Sequence, residues 1–218
     1  MRVNKLLLAS LLAFTASTAA LAADAPIFKA VENNSVQAIK KQLDAGQDPN
    51  IVNMQGHSPF ILAIREGNLE AANLIAKSPK FNVNHENSFG ETPLMYAAIS
   101  GNMELAHYLI KRGAKINKFG WTPLHYAAST GKSDMAQLLL SKGAIPNAPA
   151  PNGASPLIMA VKASNIQTVK VLLEAGADPK AIDQSRKSAL DYAKEKNLKS
   201  IYELMLQYDP RKGIKPQK

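Results

Sequence analysis

Four histidines, His57, His85, His107 and His125, are the side chains best suited to acid–base or metal chemistry in this chain. None pairs with another at a spacing that would ligate a metal, and no second ligand stands beside any of them. The sequence contains 0 cysteines, which removes thiol nucleophiles, cysteine-based zinc sites and disulfides together. No nucleophile elbow, phosphate-binding glycine loop or recurring carboxylate pair is present. Glu70, Glu104 and Asp134 fall where outward-facing helices are expected, and their simplest role is solubility. Catalysis needs a concave pocket with convergent polar groups. This pattern supplies none, so neither an enzyme nor a cofactor is expected.

The elements that carry these residues announce themselves by repetition. Starts of the Ser/Thr-Pro type occur at Ser58-Pro59, Thr92-Pro93, Thr122-Pro123 and Ser155-Pro156, with Ser188-Ala189 as a fifth. Successive starts lie 34, 30, 33 and 33 residues apart. A period near 33 marks stacked helical hairpins. In the clearest copy Thr122 can cap a first helix and Pro123 fits its first position, where no N–H is needed. Leu124, Ala127 and Ala128 recur at helical spacing until Gly131 ends the helix. Met135, Leu138 and Leu139 give the second helix a buried stripe, and Gly143 ends it. The corresponding stripes elsewhere are Leu69, Leu74 and Ile75; Leu105, Leu109 and Ile110; and Val169, Leu172 and Leu173.

The string Thr122-Pro123-Leu124-His125-Tyr126-Ala127-Ala128, with the endings Gly143-Ala144 and Gly176-Ala177-Asp178-Pro179, resembles the ankyrin-repeat family over roughly residues 25–208. The resemblance implies an all-α fold: an α-solenoid of stacked helix pairs with short β-hairpin-like fingers. It also implies that His125 hydrogen-bonds backbone between repeats rather than acting in catalysis. The expected organisation is a signal peptide over 1–22 and a repeat domain over 23–209, followed by a basic tail over 210–218. Within the domain we expect an N-terminal cap over about 25–50, internal repeats over about 56–89, 90–119, 120–152 and 153–185, and a C-terminal cap over about 186–208.

In this family the fingers and the exposed side of the first helices form a concave recognition surface, so the resemblance implies a protein partner. Carried over by position, the candidate binding residues are His57, Arg65, Phe89, Glu91, Tyr96, Phe119, Trp121 and Tyr126. Aromatic finger residues are the natural anchors, because binding energy concentrates in aromatic and Arg side chains. Trp121 reads equally as surface or core, and the tyrosine stripe reads as inter-repeat packing or groove edge. His57 and His85 belong to fingers and are expected to be solvated.

Departures from the repeat add detail. Asn117 precedes Gly120 by three positions, whereas Asn50 to Gly56, Asn84 to Gly90 and Asn147 to Gly153 span six. One finger is therefore short, either as a neutral loop deletion or as a notch beside Trp121. Pro146, Pro149 and Pro151 stiffen the next finger or exclude β-pairing there. Ser78-Pro79-Lys80 replaces the glycine expected after the second helix of the first internal repeat.

The ends indicate location. Arg2 and Lys5, an apolar run from Leu6 to Phe14, and Ala20-Leu21-Ala22 together read as a secretory signal, with the mature chain starting at Ala23. The periplasm is expected, with secretion as the second reading. The formal charge of +9 falls to +7 once the leader's two cations are removed. Much of that excess is in the tail, at Arg211, Lys212, Lys215 and Lys218, which suits weak contact with an anionic envelope polymer or lipid. No nucleic-acid partner is expected.

Overall fold

The computed structural model describes residues 25–208, so the expected leader and the tail over 210–218 lie outside the described residues. Twelve helices occur among the described residues, in six antiparallel pairs. They are α1 (Pro26–Glu32) with α2 (Val36–Asp44), α3 (Pro59–Arg65) with α4 (Leu69–Ala76), and α5 (Pro93–Ser100) with α6 (Met103–Lys111). The rest are α7 (Pro123–Ser129) with α8 (Ser133–Ser141), α9 (Pro156–Lys162) with α10 (Ile166–Glu174), and α11 (Ala189–Glu195) with α12 (Lys199–Gln207). The fold is an all-helical repeat solenoid; among the described residues the fingers are tight turns in place of strands, with one antiparallel bridge between Ile182 and Ser188. None of these helices is long and apolar enough to cross a membrane.

Tertiary contacts divide the chain into two units, with the boundary in sequence between Pro93 and Leu94. In the first unit α1 packs on α3 and α2 on α4. Helix α3 is buried from Pro59 to Ile64, because its neighbours cover it on nearly every side. The Phe60 and Phe81 rings meet at 5.2 Å. In the second unit α7 packs on α9 and α9 on α11, while α8, α10 and α12 form a parallel outer row. Ala97, Ala98, Ala127, Ala128, Ala160 and Ala193 are 0% exposed, and their small side chains let neighbouring helix backbones approach closely.

Local chemistry sets each helix start. The Ser58 and Ser155 hydroxyls accept from the N–H groups of Ile61 and Ile158, both at 3.3 Å. Thr122 caps its helix as one half of a capping box with His125, whose Nδ1 meets the Thr122 hydroxyl and N–H at 2.9 and 3.2 Å. Glu70, Glu104 and Asp134 stand exposed in the first turns of α4, α6 and α8, where the helix dipole favours negative charge.

The buried stripe of α4 departs from expectation. Leu69, the first helical residue, is 41% exposed, and Ala71, Ala72, Ile75 and Ala76 form the buried face instead. Leu74 and Ile110 are half-buried, whereas Met135, Leu138 and Leu139, and Val169, Leu172 and Leu173, are buried as expected. After α4 the chain turns without a glycine: Ser78 N–H donates to the Ile75 carbonyl and Phe81 N–H to that of Ser78, both at 3.0 Å.

Candidate functional site

The fingers are built by asparagine and glycine. In the first unit Asn53 N–H donates to the His57 carbonyl at 2.9 Å, and the Asn53 side chain accepts from the N–H groups of Gln55 and His57. Asn87 repeats the device toward Phe89 and Glu91, each at 2.9 Å. Each turn places a glycine at positive φ, Gly56 at 78° and Gly90 at 72°, which an L side chain adopts only with strain. At Gly56 there is a second reason: a Cβ would lie 2.5 Å from the Ser88 hydroxyl oxygen of the next finger.

This scaffold brings four of the predicted residues of the first unit into one neighbourhood. Phe89 projects with 68% exposure although its backbone is pinned. The His57 ring lies 6.0 Å from it at a tilt of 38°. His57 is half-buried rather than solvated, because the neighbouring finger covers part of its ring. That burial, with the Arg65 guanidinium, holds its imidazole below the ordinary range, and Glu91 pushes the other way. Glu91 accepts from Asn87 Nδ2 at 2.8 Å, and Arg65 is exposed at the end of α3. Met54, at 86% exposure, adds an apolar tip that the sequence reading passed over. His85 is likewise half-buried, with its pKa lowered chiefly by burial, and not solvated as expected. His107 is exposed on α6.

In the second unit the predicted residues separate. Phe119 is 98% exposed at the tip of the short finger. Trp121 is half-buried, meeting His125 edge-on at 5.4 Å and Tyr126 at 6.5 Å. It is thus partly structural. Tyr126 is half-buried, but Tyr96 is only 5% exposed. Tyr96 therefore belongs to the packed interior and not to an open face, because neighbouring side chains enclose its ring. His125, buried beneath Trp121, donates from Nε2 to the Ala154 carbonyl of the next repeat at 3.1 Å, which leaves Nδ1 to accept from Thr122. Burial dominates its titration and lowers its pKa from 6.5 to about 4, outweighing backbone hydrogen bonds to Ala154 and Ala148. It is a neutral structural imidazole.

The proline-rich finger is held from both sides. Gly120, with φ of 82°, would carry a Cβ 3.5 Å from the Pro151 ring. Beyond it, Gln184 donates its N–H to the Asn152 carbonyl at 3.0 Å and its side-chain amide to the Pro151 carbonyl at 2.8 Å. Sequence reasoning used asparagines only as spacing marks and missed their work. Asn117 Nδ2 donates to the Gly143 carbonyl at 2.8 Å while its Oδ1 accepts from Ile145 N–H at 3.0 Å. Asn147 does the same to Gly176 and Asp178, and Asn50 to Lys80 and Asn82. Their recurrence near the end of each copy was the signal. The three-residue deletion falls after Asn117, so the short finger keeps this bridge.

The profile described as ankyrin repeats (three copies) matches in overlapping windows at 27–119, 74–150, 117–183 and 145–216. A putative ankyrin repeat-containing protein of Treponema pallidum is 32% identical over 166 residues, covering 75% of this chain and 45% of that protein. A putative ankyrin repeat protein of Rickettsia bellii is 41% identical over 64 residues, covering 27% of this chain and 38% of that one. The human transient receptor potential cation channel subfamily A member 1 is 31% identical over 90 residues, 41% of this chain but 8% of the channel. The chain thus spans less than half the length of each of these relatives. The crystal structure of an ankyrin repeat domain from Acinetobacter baumannii AYE superposes with a TM-score of 0.69 at 25% identity, covering 83% of this chain and 96% of that domain.

Proposed function

Because this chain belongs to the ankyrin-repeat family, whose stacked helix pairs are in general binding modules, we propose that it is a non-enzymatic scaffold recognising another protein through its fingers. The observation that carries this reading is the pair of exposed fingertip phenylalanines, Phe89 at 68% and Phe119 at 98%. A large apolar ring held in water on a constrained turn loses little entropy on binding and gains by burial. Each unit offers one such anchor. In the first, His57, Arg65 and Glu91 supply polar contacts around it; in the second, Trp121 braces the finger base with Tyr126 beside it. We read the three-residue deletion before Gly120 as a notch beside Trp121 that admits a partner side chain.

The leader supports export, with maturation at Ala23 and residence in the periplasm. The N-terminal mass of protein recovered from a periplasmic fraction tests that assignment. Recovery from the culture medium would favour secretion, and an uncleaved leader would overturn export with processing.

Affinity capture from an envelope extract tests the binding site. Replacing Phe89 and Phe119 with Ala should weaken capture at least about tenfold, and should change unfolding stability by less than about 0.5 kcal/mol. Trp121→Ala should instead cost about 1 kcal/mol, since its edge-on contacts are packing. Capture that survives both phenylalanine changes would rule the fingertips out. An assay of any captured enzyme separates an accessory role, in which activity rises, from an inhibitory or immunity-type role, in which it falls.

A further inference from the structure

Charge is distributed unevenly along this chain. Residues 180–218 hold ten of its 26 cations but only five of its 17 acids. In the described part of that segment Asp183 is turned inward, while Asp191, Glu195 and Glu203 are exposed, against five exposed cations. Asp183 is 7% exposed and accepts from Ser185 N–H, Lys187 N–H and the Tyr192 hydroxyl. Asp191 accepts from the Ser188 N–H at 2.8 Å and its hydroxyl at 2.6 Å, capping α11. Glu195 pairs with Lys187 at 2.7 Å. Arg186, Lys194 and Lys199 are exposed and form no ion pair among the described residues, although the Asp191 carboxylate lies close enough to Lys194 to feel its charge.

Two of these cations share a surface with apolar groups. Lys194 and Lys199 line an open cleft of about 110 Å³ together with Ala193, Asn197, Leu198 and Tyr202. Along α12, Lys199, Tyr202 and Leu206 follow one another at helical spacing, so they fall on one side of the helix. The exposed Glu203 carboxylate stands at the edge of that side, four residues after Lys199. Tyr202 is half-buried and Leu206 is 58% exposed. No described helix pair follows α12 to cover this side.

We infer that the outer side of the C-terminal helix pair, through Lys194, Lys199, Tyr202 and Leu206, docks on a bilayer rich in anionic phospholipid. The two ammonium groups meet lipid phosphates, the tyrosine lies at headgroup depth and the leucine enters the acyl boundary. A soluble acidic polymer would use the cations alone and leave Tyr202 and Leu206 without a role. The inference is independent of the fingertip reading. It extends the expectation for the basic tail to residues whose placement is described.

The test uses the mature chain from Ala23 to Lys218 and co-sedimentation with vesicles. One set is phosphatidylcholine alone; the other includes one-third phosphatidylglycerol. We expect binding to the anionic vesicles only, weakening as salt is raised. K194A/K199A should weaken it at least about tenfold. Leu206→Ser should weaken it too, and leave a residue of binding more sensitive to salt. A chain ending at Tyr208 should still bind in a manner that depends on Lys194 and Lys199. All the substituted side chains lie at the surface, and circular dichroism verifies that each variant is folded. The proposal fails if K194A/K199A binds like the parent chain, or if removing the tail abolishes all binding. It fails equally if polyglutamate is bound and vesicles are not. Absence of vesicle binding with dimers in solution would assign the same surface to a second copy.

Discussion

At His125 both ring nitrogens are committed: Nδ1 accepts from Thr122 and Nε2 donates to Ala154, an arrangement only the neutral imidazole can make. The unfolded chain takes up the proton near 6.5, the folded chain only near about 4. Between those values the unfolded state binds more protons, so stability is full above 6.5 and is lost as pH falls toward 4. The difference amounts to about 3 kcal/mol. His125→Gln should be less stable than the parent at neutral pH, and the gap in urea midpoints should narrow as pH is lowered to 4. A constant gap would mean that His125 does not titrate in this way. Asp191 takes the histidine's position in the last described repeat, where a carboxylate satisfies Ser188. The glycines allow a second comparison. Gly153→Ala would combine a φ of 76° with a Cβ 3.1 Å from the Gln184 backbone nitrogen, whereas at Gly120 the nearest atom is a proline carbon at 3.5 Å. We expect Gly120→Ala to cost about 1 kcal/mol and Gly153→Ala at least about 2 kcal/mol, measured by chemical denaturation.

Between elements, asparagine ties successive copies together. Asn147 joins the Gly176 carbonyl and the Asp178 N–H across 29 and 31 residues of sequence. Removing that side chain leaves two backbone groups to find water, so Asn147→Ala should cost about 1–2 kcal/mol. An unchanged urea midpoint would show that water replaces the bridge without loss. The helices were legible in the residues because capping serines, Pro at the first turn and apolar spacing are local properties. The fingers were less so. His57 looked solvated from its loop position, but its ring contacts Phe89 from the adjoining copy. Leu69 matched the apolar spacing yet is 41% exposed, at the first position of its helix and on the flank of the face that Ala72 and Ile75 define.

At the scale of the whole molecule, stability in a stack of this kind is shared between neighbours and not held in one central core. The chain has 0 cysteines, so no cross-link substitutes for those contacts. In the second unit α9 and α10 are covered by α11 and α12. Ending the chain before Arg186 would expose the apolar sides of α9 and α10 to water. We expect a lower melting temperature and concentration-dependent aggregation, read by differential scanning calorimetry and light scattering. An unchanged melting profile would show that the last pair contributes nothing to the stack.

The amino-acid sequence alone determined the period, the helix pairs and the position of the short finger. Each follows from spacing or from chemistry within a few residues. Which side chains face water was decided by tertiary structure. Tyr96 and Tyr126 occupy equivalent positions in their copies, yet one is buried and the other half-buried. Phe119 and Trp121 stand two residues apart, yet the first is 98% exposed and the second packs edge-on against His125. Exposure is a property of the gap between neighbouring repeats, and that gap depends on side chains about thirty residues away in sequence. The string of one repeat therefore specifies its helices, but the next repeat decides what they leave open.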